Sequence, residues 1–269
     1  MTSLKEKLFP NESYKPFKYI YKPSKKEQLE AIEGNPFSPR DANRIKWIHN
    51  PCEEVQLAAI KQNSEVIRFI RNPTERAKLL SVEINGLCIR YIENPSEKIQ
   101  IAAIKSYYEC FRFIQNPTKK AKLLAIKEDG CNIAYIENPS EELQLIAVRR
   151  SSSIRFILNP SEKVQLAAVK DGEEYIRYIH NPTEKVQLFA VNQCASDIEF
   201  IHNPSEKVQL AAVKKDPEVI SLIRKPTIAV QKQAIYSSKY NLDIIRMCPD
   251  WESFAEEIEN EMMIKDIIE

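Results

Sequence analysis

A proline returns along this chain at almost fixed spacing: Pro23, Pro51, Pro73, Pro95, Pro117, Pro139, Pro160, Pro182, Pro204 and Pro226. The gaps are 28, 22, 22, 22, 22, 21, 22, 22 and 22 residues, and a degenerate marker, Pro249, follows after 23. The surroundings return with it. Asn50-Pro-Cys-Glu-Glu-Val-Gln-Leu-Ala-Ala-Ile60 comes back as Asn94-Pro-Ser-Glu-Lys-Ile-Gln-Ile-Ala-Ala-Ile104, and again over Asn159 to Val169 and Asn203 to Val213. A unit of this length cannot bury its own apolar face, so it must stack on its neighbours. The long first gap is an insertion around Asn35-Pro36-Phe37-Ser38-Pro39, and the 21-residue gap is a deletion between Arg149 and Ser153.

Each unit reads as a helix followed by a shorter one. Asn suits an N-cap and Pro a first helical position, and a Glu three residues after the Asn would complete a capping box, as in Asn138-Pro139-Ser140-Glu141. Apolar residues then recur with helical spacing (Val164, Ala167, Ala168) for about 11 residues. Gly or Asn at Asn63, Gly86 or Gly130 is placed to end the helix. A tetrad such as Ile89-Arg-Tyr-Ile92 or Ile154-Arg-Phe-Ile157 follows, short enough for a 3₁₀ turn, with a β-strand as the rival assignment. The expected fold is all-α: a right-handed α-solenoid of ten to eleven helix–turn–short-helix repeats. Residues 1–22 form a lead-in, 23–248 the solenoid and 249–269 an acidic amphipathic capping helix, striped by Trp251, Phe254, Ile258 and Met262.

The Asn-Pro-Ser/Thr-Glu-x-Val-Gln-Leu-Ala-Ala-Val unit, one α-helix plus one short helix, resembles the leucine-rich repeat variant, a HEAT-like class in which α and 3₁₀ helices alternate. The resemblance covers roughly residues 16 to 249. It implies a binding scaffold and brings no catalytic residues. Lys22-Pro23, Lys225-Pro226 and Cys248-Pro249 depart from the pattern by lacking the Asn.

Charge narrows the partners. The formal net charge is +1, short of the basic footprint of a sequence-independent nucleic-acid binder. Residues 1–26 hold seven Lys against two Glu, whereas 249–269 hold eight Asp/Glu against one Lys, so head-to-tail self-association is a possible use of the ends. No apolar run is long enough to span a membrane, and Met1 to Ser13 has no signal-peptide core. The six Cys are read as free thiols, most of them in the core, and the expected location is the cytoplasm.

Chemistry finds little to use. His49, His180 and His202 occupy one repeat position and lie too far apart in the stack for a shared metal. Every Ser and Glu belongs to a series, as capping residues do. Neither an enzyme nor a cofactor or metal is expected. Two rows are candidate binding surfaces. Five residues before the marker prolines stand Lys46, Arg68, Arg90, Arg112, Arg155 and Arg177, a line of cations suited to carboxylates or phosphates unless each pairs with a capping Glu. Gln56, Gln100, Gln144, Gln165, Gln187 and Gln209 share a helical position and either face a partner or satisfy loop backbone of a neighbouring repeat. The aromatic after each cation position (Phe69, Tyr91, Phe113, Tyr135, Phe156, Tyr178, Phe200) is expected to fill the core, with a base-stacking platform as the alternative. The function expected is a non-catalytic scaffold for a protein partner. The alternatives are a nucleic-acid-binding solenoid using the cation row and an inhibitor or sequestering protein for one target.

Overall fold

In the computed structural model, residues 24–33, 42–149, 152–172, 175–239 and 241–260 are described. Among them every regular element is helical, and from Glu53 to Ser237 an α-helix alternates with a 3₁₀ helix. Glu97–Ser106, Tyr108–Phe113 and Lys119–Glu128 show the rule: ten residues of α-helix, six of 3₁₀, then the next α-helix. The strand assignment is therefore excluded. Ile89 to Tyr91 belong to the 3₁₀ helix Gly86–Tyr91, which the Ile92 N–H closes on the Ile89 carbonyl at 3.0 Å. The chain packs as two units, dividing between Ile136 and Glu137. Within each, α-helix packs on α-helix and 3₁₀ on 3₁₀ in sequence order, the architecture of an α-solenoid.

The core of each unit lies between the two helix rows. The α-helices contribute Val55, Ala59 and Ile60, or Ile99, Ala103 and Ile104, all at most 1% exposed. The 3₁₀ helices contribute Ile45, Ile67, Ile89, Phe111 and Ile133 at one repeat position, and Ile48, Ile70, Ile92, Ile114 and Ile136 at another. Each fully buried Ile adds about 1.5–3 kcal/mol of apolar transfer. Cys88 and Cys110 are also buried core residues, and burial pushes the Cys110 thiol up to about 12. All six cysteines are free, but only Cys88, Cys110 and Cys248 are buried; Cys52, Cys131 and Cys194 are half-exposed, so the core holds half of them rather than most.

The helix start differs from the expectation. The N-cap is the residue after the proline, Thr74, Thr118, Ser140, Ser161 or Thr183, whose hydroxyl accepts the N–H three residues on at 3.2–3.4 Å. Asn lies outside the helix, and at Asn50, Asn94, Asn138, Asn159 and Asn203 it carries a positive φ of 47–53°. Asn tolerates this left-handed region better than other side-chain-bearing residues, which explains its choice there. All five precede Pro-Ser or Pro-Cys; Asn72, Asn116 and Asn181, which precede Pro-Thr, stay at negative φ. The turn thus comes in two forms.

The displaced Glu opens the helix, where the N-terminal dipole favours an anion, and turns to the next repeat instead of back on itself. Glu53, Glu75, Glu141, Glu162 and Glu184 each accept the cap hydroxyl of the following repeat, from Thr74, Ser96, Ser161, Thr183 and Ser205. Lysines of the following repeat add exposed ion pairs, Lys120–Glu97 at 2.8 Å and Lys185–Glu162 at 3.2 Å. Such exposed pairs add little to stability, because solvent and salt screen them.

Gly86 and Gly130 do not end α-helices, and no described glycine has a positive φ. The turn residues are Asn63, Asn85, Asp129 and Asp216, near φ −150°, whose side chains cap the following 3₁₀ helix by accepting the N–H two residues on at 2.9–3.0 Å. Gly86 is instead set by packing: a Cβ there would stand 2.5 Å from the Ala103 carbonyl oxygen and 3.0 Å from Tyr107 of the next repeat. Gly86→Ala is expected to lower stability by about 1–3 kcal/mol through this clash. Urea unfolding checks it, since an unclashed Gly→Ala would instead raise stability slightly.

The irregular places match their sequence. Glu141–Val148 has eight residues where the other α-helices from Glu53 to Ser237 have ten, and 150–151 in the deleted turn lie outside the described residues. The insertion at 35–39 and the lead-in 1–22 also lie outside them. At the C-terminal end, Leu242–Met247 is α-helical rather than 3₁₀. Residues 249–260 are not one continuous helix: Trp251–Ser253 is a 3₁₀ turn, and 255–260 are helical. Phe254 and Ile258 are buried as the stripe requires, whereas Met262 lies outside the described residues.

Candidate functional site

The two rows have different surroundings. The Gln side chains point into the turns. Gln100 Nε2 donates to the carbonyls of Pro95 at 3.0 Å and Asn116 at 3.3 Å, and its Oε1 accepts the Thr118 N–H at 2.9 Å. Gln56 does the same with Pro51, Asn72 and Thr74. Gln144, Gln165, Gln187 and Gln209 all donate to the carbonyl of their own repeat's proline at 2.9–3.0 Å, and Gln165 also accepts from Thr183. Gln56, Gln100, Gln165 and Gln209 are 3–6% exposed. The ladder stitches each helix to turn backbone, in some repeats that of the next unit. It persists at the degenerate marker, where Gln231 accepts the Asp250 N–H at 2.9 Å.

The cations stand on the other row, along the edge formed by the 3₁₀ helices. Lys46, Arg68, Arg90 and Arg112 in the first unit, and Arg155 and Arg177 in the second, are all exposed. The buried isoleucines on either side force this orientation, since the position between them must face out. The ion pairs at the helix starts are made by lysines, and among the described residues Arg68, Arg90, Arg112 and Arg155 pair with no carboxylate. Arg90 does donate from Nε to the Leu87 carbonyl at 3.1 Å.

What the cations do meet is aromatic. Arg68 lies over Phe69 at 4.6 Å from the ring centroid, Arg112 over Phe113 at 4.8 Å, and Lys46 over Trp47 at 4.9 Å. Arg90 sits between two rings, 5.3 Å from Tyr91 and 5.4 Å from Phe113 of the next repeat. In the second unit Arg155 lies over Phe156 at 4.6 Å, and Arg177 lies between Tyr178 and Phe200 at 5.8 and 4.7 Å. These distances fall within cation–π range. The aromatics therefore do not fill the core: Phe69, Tyr91, Phe113 and Phe200 are half-buried, and Tyr135, Phe156 and Tyr178 are 39–53% exposed. Isoleucines already occupy the interior, leaving the rings at the rim.

The residue two before each proline, the position that His49, His180 and His202 share, also belongs to this edge. It is His49, Arg71, Glu93 and Gln115 in the first unit and Glu137, Leu158, His180, His202 and Arg224 in the second, all exposed, Leu158 by 89%. Its signal is variability: it changes in chemistry from repeat to repeat while its neighbours do not. The three His stand here in loops. Among the described residues no group of three or more His, Cys, Asp or Glu is placed to hold a metal, and no helix is long and apolar enough to cross a membrane.

A scan against protein-family models, a search of curated proteins and a search of solved structures each returned no match.

Proposed function

We propose that the chain is a non-catalytic scaffold that binds a protein partner along the edge of its short helices, in the cytoplasm. The observation that carries this reading is that Arg68, Arg90, Arg112 and Arg155 are exposed, make no ion pair among the described residues and rest on aromatic rings. Arg and aromatic residues are the side chains that anchor protein interfaces, and here both are held on a regular frame. The resemblance to the leucine-rich repeat variant and HEAT-like class adds support, since such solenoids serve as binding scaffolds. Sequestering one target would be a special case of the same activity.

Nucleic acid along the same edge is the second reading, favoured by the cation–aromatic pairing. Against it stand a formal net charge of +1 and the loss of the row at Ala134, Glu199 and Ser221. A photo-crosslinking residue placed at Gln115 or Asn116, both exposed on this edge, tests the proposal in cells of the source organism. Protein adducts in excess of those from Lys105 or Lys127 on the α-helices are expected. Nucleic-acid adducts from the edge would overturn it.

A further inference from the structure

We propose that the edge of the first unit, from Lys46 to Arg112, binds an extended acidic peptide segment, its carboxylates taken by the arginines. This rests on the scaffold reading and names the chemistry of the partner. Four consecutive repeats place a cation at the same position, Lys46, Arg68, Arg90 and Arg112, and the run ends at Ala134. Across the edge segments 43–50, 63–72, 85–94 and 107–116 there are six Lys/Arg against three Glu. The matching segments of the second unit, 152–159, 175–181, 194–203 and 216–225, hold four against four. Only the first unit presents a charged line.

Its upstream end is a cleft of about 470 Å³ lined by Lys46, His49, Asn50, Phe69, Arg71 and Asn72, with no carboxylate among the described residues of its walls. The equivalent positions one repeat on are Arg68, Arg71 and Glu93, so the repeat series itself marks the first cleft as the most cationic.

The arrangement suits carboxylates better than bases. The rings of Trp47, Phe69, Tyr91 and Phe113 already have a cation over them, and Arg90 lies between two. A nucleobase would have to displace the guanidinium to stack. A guanidinium lying over a ring keeps N–H donors at its rim for a carboxylate fork. Stacked repeats are spaced by roughly 10 Å, and an extended polyproline II segment advances about 3.1 Å per residue with three residues per turn, so acidic side chains at every third residue share one face and would meet successive arginines.

The test is fluorescence anisotropy of the full chain with a labelled peptide of about twelve residues carrying Glu at every third position, long enough to follow four repeats. A single-stranded DNA of equal charge is titrated alongside, at about 50 and 200 mM salt. The expected result is peptide binding weakened by about tenfold or more in R68E/R90E/R112E, and by an intermediate amount in R68Q/R90Q/R112Q. K105E/K127E, on the exposed face of the α-helices, should stay within about twofold of the unaltered chain. Circular dichroism confirms that each variant is folded. No peptide binding, or binding equal in all variants, overturns the acidic-segment assignment and leaves the scaffold reading to the crosslinking experiment. Tighter binding of the DNA, lost in the charge-reversed variant, overturns both.

Discussion

Replacing Phe111 with alanine is expected to destabilise the first unit by about 4 kcal/mol. Phe111 is 1% exposed and fills the position that Ile45, Ile67, Ile89 and Ile133 occupy in the other repeats of that unit. Truncation removes most of a ring from between two stacked layers, and the flanking helices are tied to their neighbours by backbone-directed hydrogen bonds that limit collapse. Phe111→Ile should cost less than half as much, because the repeat is built to hold isoleucine there. Because coupling in a repeat array runs through nearest neighbours, amide exchange should quicken most over residues 97–128. Equal acceleration over 184–215 would show that the array does not respond locally.

The second large effect is expected at the glutamine ladder. Gln100→Leu keeps the side-chain volume but orphans the Thr118 N–H and the carbonyls of Pro95 and Asn116, at a site 3% exposed. Buried donors and acceptors left unpaired cost about 1–3 kcal/mol each, and with partial relaxation a total of about 3 kcal/mol is expected. Gln144 makes only the bond to Pro139 and is half-buried, so Gln144→Leu should cost about 1 kcal/mol. Urea unfolding of the two variants provides the comparison. Equal losses would mean that the inter-repeat bond to Thr118 contributes nothing.

The stack itself was legible in the sequence because the proline spacing leaves a unit no other way to bury its Val, Ile and Ala positions. The cations were legible for a related reason: a residue between two core isoleucines has one direction left. Three details were not. Asn before Pro reads as a helix cap, yet in five turns it carries a positive φ, and in two of these the residue after the proline, Ser140 or Ser161, caps instead. Gly86 reads as a helix stop, yet its lack of Cβ is required by a backbone 17 residues downstream, at Ala103. Phe69 and Tyr91 read as core, yet the isoleucines beside them fill the interior and the rings are left for the arginines. In each case the residue type was visible, but the contact that decided its use came from the neighbouring repeat or from competition for core volume. A pattern read one repeat at a time does not contain that contact.

The central claim is that the edge arginines serve a partner while the Gln, Glu and Ile ladders serve the frame. Capture of crosslinked partner by R68E/R90E/R112E, with its thermal midpoint measured on the same sample, tests this most directly. Three exposed cation–π contacts are worth roughly 0.5 kcal/mol each, so the midpoint should fall by no more than about 5 °C. Protein capture from Gln115 and Asn116 should meanwhile drop by about tenfold or more. Undiminished capture, or a midpoint that falls as far as it does in Gln100→Leu, would place the arginines in the frame and contradict the account.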